Sequence, residues 1–287
     1  MISVDRAGNR TQSYDGQGRF VDFLLETAPG RLLLRLLVRP WVSRLAGWLL
    51  DRAPSRLLIG PFMRRNGIAP DDWAEERWPS YNAFFCRRIR PEKRPFDFDP
   101  YHLVAPCDGK LTVCPIGADS VFSIKGVDYT MESLTRSAEL AERFCGGMLL
   151  LFRLSVDDYH RYSWACDGTA GDAVRIPGVF HTVNPRAAAK RPIYRENTRE
   201  YTLLDADVFG PMLVMEVGAM LVGRIVNSPA SGPVHRGDEK GRFEFGGSSI
   251  VVCLTAGSAV IDEDIVCNSL DGLETLVKMG EKIGAHR

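Results

Sequence analysis

The sequence predicts an α+β protein, with a helical N-terminal segment followed by a mainly antiparallel, β-sandwich or barrel-like body. Leu- and Arg-rich stretches at helical spacing occupy residues 19–65. From Leu103 onward the pattern becomes short apolar runs broken by Gly, Pro and Asp. The chain has 287 residues, 45% of them hydrophobic and 25% charged, an ordinary globular balance. Its formal net charge of zero offers no bulk attraction to nucleic acid, so no such partner is expected.

Residues 1–18 are polar and Gly-rich and read as a flexible tail without the apolar core of a signal peptide. Residues 19–100 form the helical front. Between Gly30 and Pro40, Arg31, Arg35 and Arg39 recur every fourth position and share a helical face, while Leu32, Leu33, Leu36 and Leu37 cover much of the rest. Pro40 ends this helix, and Trp41–Arg52 offers a second, carrying Trp41, Trp48, Leu45 and Leu49 beside Arg44 and Arg52. Such a basic, Leu/Trp-rich pair suits an anionic membrane surface: apolar side chains enter the acyl boundary and arginines meet head groups. The alternative is a helical hairpin packed on the protein's own core. No run reaches the length of a spanning helix. A short helix is expected after Pro70, and a Pro-rich connector leads to Pro100.

The body, residues 101–287, reads as strands at Lys110–Cys114, Met148–Leu154, Ala173–Ile176, Tyr201–Leu204, Pro211–Val217, Met220–Val226, Ser249–Leu254 and Ala259–Ile261. One helix is expected near Met131–Phe144. The seven cysteines are odd in number and form no C-x-x-C pair, so neither a disulfide framework nor a metal site is expected, and a reducing compartment is implied. Gly237-Asp-Glu-Lys-Gly241 and Gly280-Glu-Lys-Ile-Gly284 resemble turns of lipoyl or biotinyl carriers, but neither carries the flanking residues of an attachment lysine.

Chemistry concentrates in a few places. Gly246-Gly247-Ser248-Ser249 precedes an apolar run from Ile250; the default reading is a turn entering a strand, and the other is that the Gly247–Ser248 peptide itself reacts. A serine needs a base before it attacks, and His160 and His181 are the histidines of interest. His160 follows the apolar run Met148–Leu154, with Asp158 two residues earlier, on the same face if the strand continues. Asp108, in Pro106-Cys-Asp-Gly109, belongs to a turn and is also a carboxylate able to orient a histidine. There is no G-x-S-x-G, P-loop, dinucleotide fingerprint or H-E-x-x-H.

In order along residues 80–255, Tyr81-Asn-Ala-Phe-Phe-Cys-Arg87, Ala105-Pro-Cys-Asp-Gly109, Asp158-Tyr-His-Arg161, Gly178-Val-Phe-His-Thr-Val-Asn184, Glu216-Val-Gly-Ala-Met-Leu-Val-Gly223 and Arg236–Ile250 resemble the phosphatidylserine decarboxylase family of pyruvoyl-dependent proenzymes. The resemblance implies that Ser248 Oγ attacks the Gly247 carbonyl, cutting the chain into a β chain, 1–247, and an α chain, 248–287. Ser248 would become a pyruvoyl group, the covalent cofactor, which forms a Schiff base with the substrate amine. It implies an Asp-His-Ser arrangement in which Asp108 matches the aspartate. Many relatives carry a second histidine where this chain has Ser163, so the base falls to His160, which keeps its local motif, or to His181. The implied reaction is decarboxylation of phosphatidylserine to phosphatidylethanolamine at the cytoplasmic side of the cell membrane, with the enzyme peripheral. The same scaffold also serves free amino acids, which is the alternative, with a non-enzymatic carrier module third. The sequence allows a homo-oligomer without specifying one.

Overall fold

The computed structural model describes residues 2–12, 27, 29–30, 45, 47–75, 77–178, 196–218, 224–228, 231–244 and 248–286. Most of the two expected basic helices, together with His181, Gly246 and Gly247, lies outside the described residues.

The chain begins with an antiparallel pair, β1 (Ile2–Val4) and β2 (Arg10–Gln12). β1 also pairs in parallel with Glu274 and Thr275 near the other end of the chain, and Ser3 and Val4 are buried. Residues 2–12 therefore belong to the body, which corrects the expectation of a flexible tail. A three-residue strand pairing with one so remote leaves no local periodicity to read.

In the front segment a 3-10 turn, Ala53–Leu58, runs into α1 (Ile59–Asn66), which stops at Gly67 in the left-handed conformation, φ 64°. α2 (Tyr81–Phe85) starts at Ser80, whose hydroxyl accepts the Ala83 N–H at 3.1 Å. Ile59, Tyr81 and Phe84 are buried together, and Phe62 meets Tyr81 and Phe84 edge-on. Trp73 and Ile89 pack with Tyr159, which fastens the front segment to the body. Facing outward are Leu45, Trp48, Leu49, Leu57 and Leu58, near the exposed arginines 52, 56, 64 and 65. Among the described residues no helix is long and apolar enough to cross a membrane.

The body continues with β3 (His102–Val104), β4 (Gly109–Pro115) and a hairpin of β5 (Phe122–Ile124) and β6 (Val127–Tyr129). The single helix expected near residues 131–144 is two, α3 (Met131–Thr135) and α4 (Ala138–Phe144). Arg136 turns left-handed at φ 58°, and Thr130 and Ser137 each cap a separate start. Next come β7 (Met148–Leu154), β8 (Arg161–Ser163), β9 (Gly168–Ala170) and β10 (Val174–Ile176). They are followed by β11 (Arg199–Ala206), β12 (Gly210–Val217), β13 (Arg224–Asn227) and β14 (Gly232–Val234). The chain closes with β15 (Glu239–Glu244), β16 (Ser248–Leu254), β17 (Val260–Ile261), α5 (Glu263–Leu270), β18 (Glu274–Val277) and β19 (Lys282–Ala285).

The large sheet runs β14-β9-β11-β12-β16-β7-β4-β18-β1-β2, with β10 on β11. Its pairs are antiparallel except β1 with β18, and its path does not close, so the body is sandwich-like rather than a barrel. Every residue of β16 is buried, because the sheet is covered on both faces. Ile250, Val252 and Leu254 join Leu150, Phe152, Met212 and Val214 in one core. Val251 and Cys253 join Leu149, Leu213 and Met215 in a second core, under α3, α4 and the β5–β6 hairpin. The small sheet β13-β15-β8 contributes Tyr162 and Phe243 to the first core. The chain thus leaves the small sheet at Glu244 and enters the centre of the large one at Ser248.

Candidate functional site

Ser248 opens the central strand, opposite Leu154 of β7. By strand alternation it faces the first core, on the side of the small sheet. It is 1% exposed, and its hydroxyl has no hydrogen-bond partner among the described residues. A buried hydroxyl normally finds one, so an orphan at this position demands a reason.

His160 is fully buried. Its backbone carbonyl accepts the Phe243 N–H at 2.9 Å, which holds it beside the end of β15, where the chain leaves for Ser248. Its ring packs 4.0 Å from the Phe85 ring. Nδ1 lies 2.9 Å from the Asp158 carbonyl oxygen. A carbonyl only accepts, so Nδ1 carries the proton and Nε2 bears a lone pair. Nε2 has no partner, the second buried orphan. Burial, and then the charge of Arg87, push the ring pKa down to about 3, so the imidazole is neutral.

Asp158 does not continue a strand with His160: Asp158 N–H closes a turn on the Ser155 carbonyl. Its carboxylate accepts from Lys110 at 3.0 Å and from the Ser155 N–H at 2.6 Å. Asp108 is 2% exposed and engaged elsewhere than on His160. It accepts Arg94 Nε at 2.7 Å and Nη2 at 2.5 Å, and the Met279 N–H at 2.9 Å. No hydrogen bond joins it to His160, although its charge acts on the ring. Ser163 is tied to the Pro106 carbonyl through its N–H, 2.8 Å, and its hydroxyl, 3.3 Å.

Sequence reasoning gave no role to four residues around these groups. Arg94 is the bidentate partner of Asp108 across the Pro-rich connector. Arg87, inside an Arg-rich run that signals nothing by itself, is 1% exposed. Glu216 and Lys240, both buried, pair at 2.7 Å, with Asn227 donating to the other Glu216 oxygen at 2.9 Å. Burial raises the Glu216 pKa, and Lys240 opposes that. Glu216 faces the first core with Ser248, diagonal to it across the β12–β16 ladder. A cleft of about 500 Å³ opens near the end of β15, lined in part by Trp78, Asn82, Cys86, Arg161, Arg242 and Glu244.

Residues 81–285 match the model of a family described as phosphatidylserine decarboxylase, which takes in the site and nearly the whole body. The chain belongs to the phosphatidylserine decarboxylase family. Among curated relatives, phosphatidylserine decarboxylase proenzyme 2 of Clostridium acetobutylicum is 39% identical over 263 residues, 91% of this chain and 90% of the relative. The phosphatidylserine decarboxylase proenzyme of Ruminiclostridium cellulolyticum is 36% identical over 285 residues, 96% and 95% of the two chains. That of Chlamydia trachomatis serovar L2b is 34% identical over 272 residues, 93% and 90%. The family is one of self-cleaving proenzymes.

Proposed function

We propose that this chain cleaves itself between Gly247 and Ser248 and then decarboxylates phosphatidylserine to phosphatidylethanolamine. The observation that carries the reading is the pair of buried orphans, Ser248 Oγ at the start of β16 and His160 Nε2, whose residue is held at the end of β15. A neutral histidine whose Nδ1 proton is already committed is a base in the required tautomer.

In the precursor, His160 Nε2 takes the Ser248 hydroxyl proton as Oγ attacks the Gly247 carbonyl carbon. The peptide C–N bond breaks and the nitrogen receives a proton, leaving an ester. Removal of the Ser248 α-proton then expels the Gly247 carboxylate, which keeps the former Oγ, and residue 248 becomes dehydroalanine. Water replaces the nitrogen, which departs as ammonia. Burial of Ser248 among apolar neighbours fits the pyruvoyl group that results, because a dry site protects a reactive carbonyl. That group supplies an electron sink for the pair left behind by carbon dioxide. His160 then has a second task, delivery of a proton to the substrate α-carbon. Asp108 acts on the ring through charge, while the Asp158 carbonyl orients it. His181 remains the alternative base.

The outward-facing Leu45, Trp48, Leu49, Leu57 and Leu58 with neighbouring arginines support a peripheral position on an anionic surface, the cytoplasmic side of the cell membrane, where the lipid substrate is found. This favours lipid over a free amino acid. Intact-mass measurement should give two chains that divide at residue 248, and S248A should give one. Carbon dioxide release from phosphatidylserine vesicles, and little from free serine, is the expected activity. A wild-type protein that stays in one piece with an ordinary serine at 248, under conditions where it is folded, would sink the reading.

A further inference from the structure

Three arginines are buried among the described residues, Arg87, Arg199 and Arg236. Arg199 has Glu196 and three backbone carbonyls, while Arg236, without an ion pair and with Nε unpartnered, is clasped by the carbonyls of Asp97, Asp99 and Pro100; half-buried Arg94 has the Asp108 carboxylate. Arg87 makes no ion pair among the described residues. Its guanidinium lies 3.9 Å from the Trp73 ring centroid and 4.4 Å from that of Phe84. Nη1 donates to the Phe84 carbonyl at 3.2 Å and Nη2 to the Asp157 carbonyl at 3.4 Å, both long. Nε is buried with no acceptor. A guanidinium has five N–H donors, so most of this one's capacity is unused.

Two more unpartnered donors belong to the same cluster. Trp73 Nε1 and Trp78 Nε1 are buried without acceptors, Trp73 beneath Arg87 and Trp78 5.0 Å from the Phe84 ring. The Asp108 and Asp157 carboxylates act on this cation through charge without a hydrogen bond to it, so the guanidinium and the two indole N–H groups keep donors for an anion carrying several acceptor oxygens. The cluster adjoins the reacting centre: Phe85 packs on His160, and the Arg87 charge is second only to burial in keeping that ring neutral.

The head group of the substrate carries two anions. The carboxylate loses its charge as carbon dioxide departs, so a guanidinium on it would stabilise the ground state more than the transition state and slow the reaction. The phosphodiester keeps its charge throughout. We propose that Arg87 receives the phosphodiester of the lipid head group, which makes it the residue that separates the lipid from a free amino acid. This rests on the function proposed above.

The test uses the full chain with phosphatidylserine in mixed micelles, glycerophosphoserine and free serine. R87K and R87Q are expected to mature at residue 248. Each should raise KM about 10- to 100-fold for both phosphodiesters, with kcat changed less than about threefold, since the lost contact is equal in ground and transition states. An unchanged KM would overturn the proposal. So would an equal fall in kcat on all substrates, serine included, which would mean that Arg87 acts only through His160. If neither variant folds, the wild type decides. Glycerophosphoethanolamine, which is not consumed, should raise its thermal midpoint more than ethanolamine at the same concentration; equal shifts would refute the assignment. A wild type that neither matures nor releases carbon dioxide would be a failure of the functional reading, and the thermal shift would still report on Arg87.

Discussion

Asp108 and His160 occupy the same part of the body, yet their surroundings differ in kind. The Asp108 carboxylate has Arg94 on both oxygens and the Met279 N–H besides, so it joins the connector at residue 94 to the loop after β18. His160 is just as buried but leaves Nε2 bare, as Ser248 leaves its hydroxyl. The first arrangement is one that stability alone explains. The second costs stability at each orphan, about 1–3 kcal/mol for an unsatisfied buried polar group, and leaves both groups open to a partner that arrives during a reaction. A sequence pattern that names Asp, His and Ser together conceals this division of labour.

The sharpest way to break the comparison is to substitute both residues. D108A strands the Arg94 guanidinium, and urea unfolding should show a loss of about 3–5 kcal/mol. H160Q should cost less than about 1.5 kcal/mol, because it keeps volume and removes no satisfied ion pair, yet it should leave the precursor uncut. If D108A unfolds like the wild type but stays uncut, Asp108 belongs with the chemistry and the contrast fails. Cutting that proceeds normally in H160Q would move the base to His181.

A smaller effect concerns pH. The folded pKa of His160, about 3, lies below its ordinary 6.5, so between those values the unfolded chain binds a proton that the folded one refuses. The contribution to stability is therefore present above about 6.5 and is lost as pH falls toward about 3. Unfolding midpoints measured across that window should fall more steeply for wild type than for H160Q; equal slopes would mean the ring is not held neutral. The smallest effect sets the scale for satisfied pairs at the surface. Arg6 bridges Asp262 at 2.8 Å and Asp264 at 2.6 Å while partly exposed, and R6A should cost only about 0.2–1 kcal/mol per pair in a thermal melt.

The long central strands of the body were legible, because they are continuous apolar runs with turn residues between them, while short strands such as β3, β5, β6, β8, β9, β14, β15, β18 and β19 were not. Residues 210–217 and 248–254 show this best: each is buried on both faces, and such strands are recognisable without alternation. What stayed hidden required knowledge of distant partners. The β1–β2 pair depends on a strand some 270 residues away. The split between α3 and α4 was written locally, in the Ser137 cap, but the apolar spacing on either side masked it. At the site, Ser248, His160 and Asp108 could be named from their motifs, whereas the bonds that decide what each does could not. The Asp158 carbonyl on Nδ1 is a backbone contact that leaves no mark in the sequence. Arg87 closes the Tyr81–Arg87 stretch beside Arg88 and Arg90, and only burial sets it apart.

The short crossing between the two sheets has one more consequence. A cut there would release a new chain end from each sheet, but the strand that begins at Ser248 is hydrogen-bonded on both edges, to β12 and to β7. β18, further along the same piece, is gripped between β4 and β1. The two products would be interleaved strand by strand, inseparable without unfolding. Maturation would then resemble cutting one thread in a woven cloth: the severed end gains freedom to react, while the weave keeps it in register.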